Sequence, residues 1–309
     1  MCDDFTKEQE DEAIRRMKLS RRQFAALSGI AAIAACAPNE VDAVSGSDPG
    51  PGTSSSREPL LLTKASEVSF ATPDGTMDAY FVHPHPGTTR KKSPAVIMWP
   101  DIAGLREAYQ IMATRLAEQG YAVLAMNQYY RNAKAPVLGS FMEWRTDAGR
   151  AKLRPMIDNL DSFAIRRDAQ AAVEFLDAQD AVDTSRGIGS CGYCMGGPFT
   201  VYSTAAVPGR VKAAASFHGG GLVRDDAESP HKLMQKTQAS YLFAIAQNDD
   251  AKAPGDKTAL RAASESSGRP AEIEVYNADH GWCTIDSPVY DELEAERAKA
   301  RMLALFAGL

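Results

Sequence analysis

The chain has 309 residues, of which 44% are hydrophobic and 24% charged, a composition typical of a soluble globular protein. Its net charge of −6 argues against nucleic-acid binding, because phosphate recognition needs a cationic surface. The five cysteines have neither the spacing of a disulfide framework nor, with the histidines, that of zinc ligands, so we expect no metal site.

Residues 1–38 resemble an export signal. Arg21 and Arg22 are adjacent and precede a weakly apolar run of small residues at 25–36, which is typical of a twin-arginine signal. The run is too short to cross a bilayer as a helix. The four residues ending at Cys36 also resemble a lipobox, in which the cysteine carries a lipid. We expect an exported, periplasmic protein, with or without this anchor; the alternative is a cytoplasmic protein with a short amphipathic N-terminal helix.

Residues 39–60 have the composition of a flexible linker. They are rich in glycine, serine and proline and hold too few apolar side chains to offset the entropy of ordering. Neither a repeat nor a second linker follows. The sequence therefore predicts a single domain over residues 61–309.

The body of the chain alternates strands and helices. The runs at 95–99 and 122–126 are continuously apolar, as in strands buried on both faces. Between them, 106–119 has helical spacing and stops before Gly120. The other predicted elements are hairpin strands at 68–71 and 78–82, a helix at 165–177, strands at 187–191, 211–217, 241–246 and 271–276, and helices from 195, at 257–265 and at 290–306. This alternation predicts a mainly parallel sheet with helices on both faces.

A long polar stretch at 127–160 interrupts this alternation. It contains Trp144 and the arginines Arg145, Arg150 and Arg154. One interpretation is a lid or substrate-selecting loop; the other is a surface excursion with solvated arginines. The sequence does not decide between them.

The segment around Cys194 has the pattern of a nucleophile elbow. Gly192-x-Cys194-x-Gly196 lies between a predicted strand and a predicted helix, with cysteine in the usual serine position. Side chains two residues to either side would clash with that strand and helix. The dipole of the helix favours the thiolate, and the N–H of Met195 is expected to face the oxyanion. Glycine-rich turns also occur without catalysis, so the prediction depends on finding a base and an acid.

Both partners follow in the chain order Cys, Asp, His that the α/β-hydrolase architecture requires. His280 comes shortly after one predicted strand, and the acidic pair Asp249 and Asp250 after the preceding strand. We therefore predict His280 as the general base and acid and an aspartate that orients it. Counting from the strand favours Asp249, whereas counting back from Pro254 favours Asp250. We prefer Asp249, because sheet pairing fixes strand ends while the downstream loop can lengthen.

Two further side chains are predicted to contact substrate. His218 ends a predicted strand and could line the pocket, and Trp282 is expected to form a pocket wall. We interpret Cys283 as a small buried hydrophobic residue.

Residues 66–309 resemble the dienelactone hydrolase family. The matching motifs are Gly192 to Gly197, Asn248 to Asp250 with Pro254, His280, and Pro100 to Gly104. The resemblance implies an α/β-hydrolase fold and the hydrolysis of enol-lactones and related esters through a cysteine acyl-enzyme, without a cofactor. It also implies that Asp101 is an acidic residue near the thiol and that Ile102 supplies a second oxyanion-hole N–H. We expect a small-molecule ester or lactone as substrate and a monomer or small homo-oligomer.

The chain departs from the family pattern after His280. The family has a serine next to this histidine and an arginine three residues further on, and both hold a substrate carboxylate. Here those positions are Gly281 and Thr284, which argues against dienelactone itself as the substrate.

Two other classes of function remain as alternatives. Cys191 and Cys194 form a C-x-x-C pair, which would suit a thiol–disulfide oxidoreductase, or a disulfide that switches off an esterase. A non-catalytic binding protein on a hydrolase fold is the other alternative.

Overall fold

The computed structural model describes residues 60–89 and 91–309. The predicted export signal at 1–38 and, apart from Leu60, the predicted linker at 39–60 lie outside these residues. Within the described ranges, no helix combines the length and the apolar character needed to span a membrane.

Eight strands form a single sheet in the order β1-β2-β4-β3-β5-β6-β7-β8. Strands β1 and β2 form an antiparallel hairpin, and β2 also pairs antiparallel with β4. All the other neighbouring pairs of the sheet are parallel. The strands are β1 Thr63–Thr72, β2 Gly75–Pro84, β3 Ala95–Trp99, β4 Ala122–Met126, β5 Ile188–Tyr193, β6 Val211–Phe217, β7 Ser240–Ala246 and β8 Ala271–Tyr276. The predicted α/β-hydrolase architecture, a mainly parallel sheet between helices, is confirmed.

Helices connect these strands in the described part of the chain. They are α1 Glu107–Ala117, α2 Phe141–Trp144, α3 Asp147–Ile157, α4 Ser162–Asp177, α5 Gly197–Ala206, α6 Pro230–Leu233, α7 Gln247–Lys252, α8 Asp256–Ser267 and α9 Glu292–Phe306. Single turns of 3-10 helix cover Cys194–Gly196 and Met234–Lys236.

The sheet is buried on both faces, which explains the continuously apolar central strands. Every residue of β3, β4 and β5 is buried. Alternate residues of β3 point to opposite sides: Ile97 joins the apolar cluster with α4 and α5, and Val96 joins the cluster with α1 and α9. This two-sided packing fixes the strand register, because a slip of one residue would exchange the two faces.

The register places the carboxyl ends of five strands along one edge. Trp99 pairs with Gly192, Tyr193 pairs with Phe217, and Ala246 pairs with Tyr276. The residues that follow β3, β5, β6, β7 and β8 are therefore neighbours in space although they are far apart in sequence. This is the edge at which open α/β sheets bind ligands.

Among the differences between the structure and the sequence-based elements, three bear on the site. The stretch 127–160 contains helices α2 and α3. Both are short and mostly polar, so their few buried residues give no clear helical pattern in the sequence. Asn248 to Asp250 lie on helix α7, which starts directly after β7, rather than in a loop. A 3-10 turn separates Cys194 from α5, which begins at Gly197 rather than at Met195.

A buried ion-pair network ties three of the loops at this edge together. Arg106, only 2% exposed, donates to both carboxylate oxygens of Asp101 at 2.8 and 2.9 Å and to both oxygens of Asp286 at 2.7 and 2.8 Å. Asp286 also accepts the backbone N–H of Phe141 at 3.0 Å. Although burial opposes the charged form of Arg106, the carboxylate of Asp101 and the hydrogen bonds that Arg106 donates to both acids raise its pKa. The guanidinium thus joins the loop after β3, the start of α2 and the loop after β8.

Replacing Arg106 with leucine should lower the free energy of unfolding by about 3–5 kcal/mol, because the substitution leaves the buried carboxylate of Asp101 without its cation. Urea denaturation measures the change. The control is Arg297→Leu, which removes a half-exposed arginine paired to Glu274 and Glu294 on the surface and should change the free energy of unfolding by less than about 1 kcal/mol. Equal losses in the two variants would contradict a structural role for the buried network.

Candidate active site

Cys194 occupies a strained turn between β5 and α5. Its φ of 52° lies in the left-handed region, which a residue with a Cβ atom adopts only under constraint. A Cβ added to Gly192 would lie 2.1 Å from the carbonyl oxygen of Gly196, and one added to Gly196 would lie 2.5 Å from the carbonyl oxygens of Trp99 and Pro100. The glycines at both positions are therefore required by close backbone packing, as the sequence pattern predicts.

Three side chains converge beside this turn. The Nε2 atom of His280 lies 3.1 Å from the Sγ atom of Cys194, and its Nδ1 atom lies 2.6 Å from Oδ2 of Asp249. The backbone N–H of His280 donates to Asn248 Oδ1 at 2.9 Å, so the helix that carries the acid also holds the loop that carries the base. Cys194 and His280 are 4% and 5% exposed. A thiol, an imidazole and a carboxylate in this order can generate a nucleophile and fix the tautomer of the base.

The two candidate acids have different partners. Asp249 contacts His280, whereas Oδ2 of Asp250 accepts a hydrogen bond from Lys257 at 2.6 Å. The geometry thus brings Asp249, the preferred residue, to the imidazole. Asp249 lies in the first turn of α7, which follows β7 without an intervening loop.

Met195 and Ile102, the residues predicted to supply oxyanion donors, lie at the ends of the paired strands β5 and β3. The backbone of the Ile102 loop is held in place by side chains: Tyr129 Oη donates to the Ile102 carbonyl at 2.7 Å, and Gln128 Nε2 donates to the Asp101 carbonyl at 2.7 Å. A cavity of about 430 Å³ borders both Ile102 and Met195. These positions suit a pair of donors at the edge of a substrate site.

Asp101 has a different environment from the one implied by the family resemblance. Both of its carboxylate oxygens accept hydrogen bonds from Arg106, and one also accepts the backbone N–H of Ala103 at 2.9 Å. The resemblance implies an acidic residue near the thiol, and the contacts of Asp101 show that its carboxylate shapes the loop that carries Ile102. Arg106 was not singled out from the sequence, because its two acidic partners are 5 and 180 residues away.

His218 is buried against the backbone of Cys194. It is 1% exposed, and its Nδ1 atom accepts the backbone N–H of Cys194 at 3.1 Å. The φ of His218 is 40°. Cys194 and His218 are the only non-glycine residues with positive φ in the described ranges, and a hydrogen bond joins them. Burial and the nearby His280 imidazole lower the pKa of His218 well below its usual value, which keeps the ring neutral and Nδ1 available as an acceptor. The expectation that His218 contacts substrate is therefore wrong; its ring supports the turn at Cys194.

Trp282 is also a supporting side chain. It is fully buried, stacks on Tyr276 with ring centroids 5.3 Å apart, and lies 5.1 Å from the His218 ring. The prediction of a pocket wall is therefore wrong. The adjacent bulky rings limit the positions that the His280 loop can adopt, since His218 and His280 are themselves only 4.9 Å apart.

The other two described cysteines do not resemble reactive thiols. Cys191 and Cys283 are free and buried, and burial raises the pKa of both thiols. Cys191 points into the apolar cluster under α1 and α9, so a redox role for the C-x-x-C pair has no support in the geometry. Across residues 60–89 and 91–309, no group of three or more His, Cys, Asp or Glu side chains could hold a metal ion.

The neutrality of His218 leads to a prediction about pH. Below its unfolded-state pKa of 6.5, the unfolded chain binds a proton that the folded protein excludes, so the free energy of unfolding should fall with decreasing pH, by up to about 1.4 kcal/mol per pH unit from this residue. The substitution His218→Asn removes the titration while keeping a hydrogen-bond acceptor in a residue that tolerates positive φ. Urea denaturation is measured between about pH 5 and 8, where histidine titrates. As the pH is lowered, the free energy of unfolding should fall less steeply for the variant than for the wild type. Parallel profiles would contradict the assignment.

Comparisons with known proteins agree with this architecture. A model described as the dienelactone hydrolase family matches residues 77–309. A protein of Synechocystis sp. (strain ATCC 27184 / PCC 6803 / Kazusa), named "Putative carboxymethylenebutenolidase", is 29% identical over 218 residues, which are 69% of this chain and 85% of that protein.

Two crystal structures have the same fold. One, named "Putative Dienelactone Hydrolase", from Klebsiella pneumoniae subsp. pneumoniae MGH 78578, has a TM-score of 0.69 at 23% identity and covers 80% of this chain and 100% of its own. The dienelactone hydrolase-like promiscuous phosphotriesterase P91 from metagenomic libraries has a TM-score of 0.64 at 23% identity, covering 79% and 98%. Since the family model spans three quarters of the sequence and the structures share its fold, this chain belongs to the dienelactone hydrolase family.

Proposed function

We propose that the protein hydrolyses a carboxylic ester or lactone through a covalent thioester on Cys194. The observation that carries the proposal is the continuous hydrogen-bond chain from the thiol through His280 to Asp249. Membership of the family, and the name carboxymethylenebutenolidase given to relatives from Synechocystis and Rhodococcus opacus, support a hydrolase acting on lactones or esters.

In the first half of the reaction, Nε2 of His280 accepts the proton of the Cys194 thiol as sulfur attacks the substrate carbonyl carbon. A C–S bond forms, and the carbonyl oxygen becomes an oxyanion that the N–H groups of Met195 and Ile102 stabilise. The C–O bond to the alcohol then breaks, and His280 returns the proton to the leaving oxygen. In a lactone the leaving hydroxyl stays attached to the acyl group.

In the second half, a water molecule attacks the thioester carbon. His280 accepts a proton from this water, the C–S bond breaks, and the proton returns to sulfur as the carboxylic acid leaves. Asp249 holds the imidazole in the required tautomer and stabilises its protonated form in both halves. Dividing the hydrolysis into two steps replaces one high barrier with two lower ones.

The residues after the catalytic histidine do not favour dienelactone itself as the substrate. A side chain at Gly281 would meet Ser287 Oγ at 2.8 Å and would sit on a backbone with φ of 104°. Thr284 is fully buried and neutral, with its hydroxyl 3.4 Å from Tyr109 Oη. Neither position offers a charged group to a substrate carboxylate.

Substitution of the three proposed catalytic residues tests the mechanism. Cys194→Ala and His280→Ala should each lower kcat for 4-nitrophenyl acetate by about 10⁴-fold or more, and Asp249→Asn by about 10²- to 10⁴-fold, because these groups act as a unit. Rapid quenching followed by intact-mass analysis should find an acetyl group on wild-type Cys194.

The neighbouring Asp250 supplies the matched control. Asp250→Asn removes a carboxylate one residue away that contacts Lys257 instead of His280, so kcat should change by less than about threefold. If Asp250→Asn and Asp249→Asn lowered kcat equally, or if Cys194→Ala remained active, the proposed mechanism would be wrong.

We also propose that the protein is exported to the periplasm by the twin-arginine route and that a lipid attached to Cys36 anchors it to the membrane. The support is the sequence alone: the adjacent Arg21 and Arg22, the short apolar run and the lipobox-like residues that end at Cys36.

Cell fractionation of the full chain in a host with a twin-arginine translocon tests this proposal. Replacing Arg21 and Arg22 together with lysine should retain the protein in the cytoplasm, because the signal requires the arginine pair and not merely positive charge. Cys36→Ser should move the protein from the membrane fraction to the soluble periplasmic fraction. Unchanged location of the double lysine variant would exclude twin-arginine export, and unchanged location of Cys36→Ser would exclude the anchor.

A further inference from the structure

The cavity beside the proposed oxyanion donors has a largely apolar lining. Its volume of about 430 Å³ suits a small-molecule site. Its apolar lining consists of Ile102, Ile157, Leu160, Met195, Pro198 and Phe199. Two of these residues are the proposed oxyanion donors, so the cavity lies beside the expected position of the reacting carbonyl, and a substituent on that carbonyl or on its leaving oxygen can enter it.

The single arginine of the cavity is fully occupied by the protein itself. Arg224 Nε donates to Asp226 at 2.7 Å, one terminal nitrogen donates to Tyr202 Oη at 2.9 Å and to the Gly221 carbonyl at 3.2 Å, and the other donates to Asp226 and to the Glu228 carbonyl. A guanidinium has five N–H donors, and all are used here. Arg224 is therefore not available to bind a substrate carboxylate.

The remaining charged groups of the lining are acidic. Asp161, Asp226 and Glu228 face one cation, Arg224, so the lining has three negative charges and one positive charge, a net charge of −2. Two arginines outside the lining have acidic neighbours within it: Arg166 pairs with Glu228, and Arg167 interacts with Asp161. A substrate carboxylate would meet apolar side chains and carboxylates of the same sign, without a cation in the lining that is free to bind it.

We infer that the cavity selects neutral esters or lactones with an apolar substituent and rejects substrates that carry a carboxylate on that substituent. This inference rests on the proposed function and specifies its substrate class. A carboxylate here would lose its hydration without gaining a cation, whereas an apolar group of the same size would be desolvated favourably.

Two matched substrate pairs test the selectivity on either side of the scissile bond. On the acyl side, 4-nitrophenyl hexanoate is compared with mono-4-nitrophenyl adipate; on the alcohol side, methyl 4-acetoxybenzoate is compared with 4-acetoxybenzoate. In the pair whose variable group enters the cavity, kcat/KM should be at least about tenfold higher for the neutral member. Comparison within each pair keeps the size of the variable group nearly constant.

A charge introduced into the cavity should reverse this preference. Leu160, half-buried in the lining, is replaced by lysine, and Leu160→Lys should reduce the neutral-to-charged ratio about fivefold or more by pairing the substrate carboxylate. The matched control is Leu293→Lys, which adds the same charge at a 79% exposed leucine on α9 and should leave the ratio unchanged.

A neutral-to-charged ratio below tenfold in both pairs, or equal changes in the two lysine variants, would overturn the inferred substrate class. Acetylation of Cys194 by 4-nitrophenyl acetate separates this result from failure of the proposed function. If the acetyl-enzyme forms but kcat/KM is similar for the neutral and the charged member of both pairs, only the inferred substrate class is wrong. If no acyl-enzyme forms with any of the esters, the proposed function and the substrate class are both wrong.

Discussion

The strained backbone at Cys194 is the constraint on which the site depends. A positive φ lifts the thiol out of the line of β5, and two glycines allow the neighbouring backbone to approach closely enough to hold this conformation. The Cys194 N–H is bonded to His218, itself at positive φ, so the strain of the two residues is coupled. Such strain persists only where the surroundings over-determine the conformation. Here the packed sheet does so from one side and the rings of His218 and Trp282 from another.

The sheet brings the reacting groups to this turn, and a separate set of polar contacts keeps them there. Strand pairing sets only where the loops start; the loops after β3 and β8 would retain freedom without the guanidinium of Arg106 between Asp101 and Asp286. The hydrogen bond that the His280 backbone N–H donates to Asn248 also restricts the loop after β8. Preorganisation of the site therefore comes from buried polar groups at the loops and from apolar packing in the strands.

The sequence was sufficient for the fold and for the order of the reacting groups. Apolar runs such as 95–99 reveal buried strands, and the Gly-x-Cys-x-Gly pattern marks the turn because glycine is required both by the turn itself, at Gly192, and by the close approach of β3, at Gly196. The network of Arg106 could not be predicted, because its partners meet only after the sheet forms. His218 and Trp282 were misassigned for a related reason: an aromatic side chain near a strand end can face the cavity or the core, and tertiary packing decides which.

Chemistry and selectivity occupy different parts of the chain. The thiol, imidazole and carboxylate lie at strand ends that the sheet fixes, whereas much of the cavity is built from the stretch 127–160 and from residues 220–228, which lie outside the sheet. Of the two interpretations of 127–160, the packing of Leu138, Phe141 and Leu153 against Ile102 favours a substrate-facing segment. Ile157 reaches the cavity, while Arg145, Arg150 and Arg154 are absent from its lining. Changes at the positions that line the cavity, such as Ile157, can alter the accepted substituent, whereas Gln128, Tyr129 and Phe141 in the same stretch also hold the loops after β3 and β8.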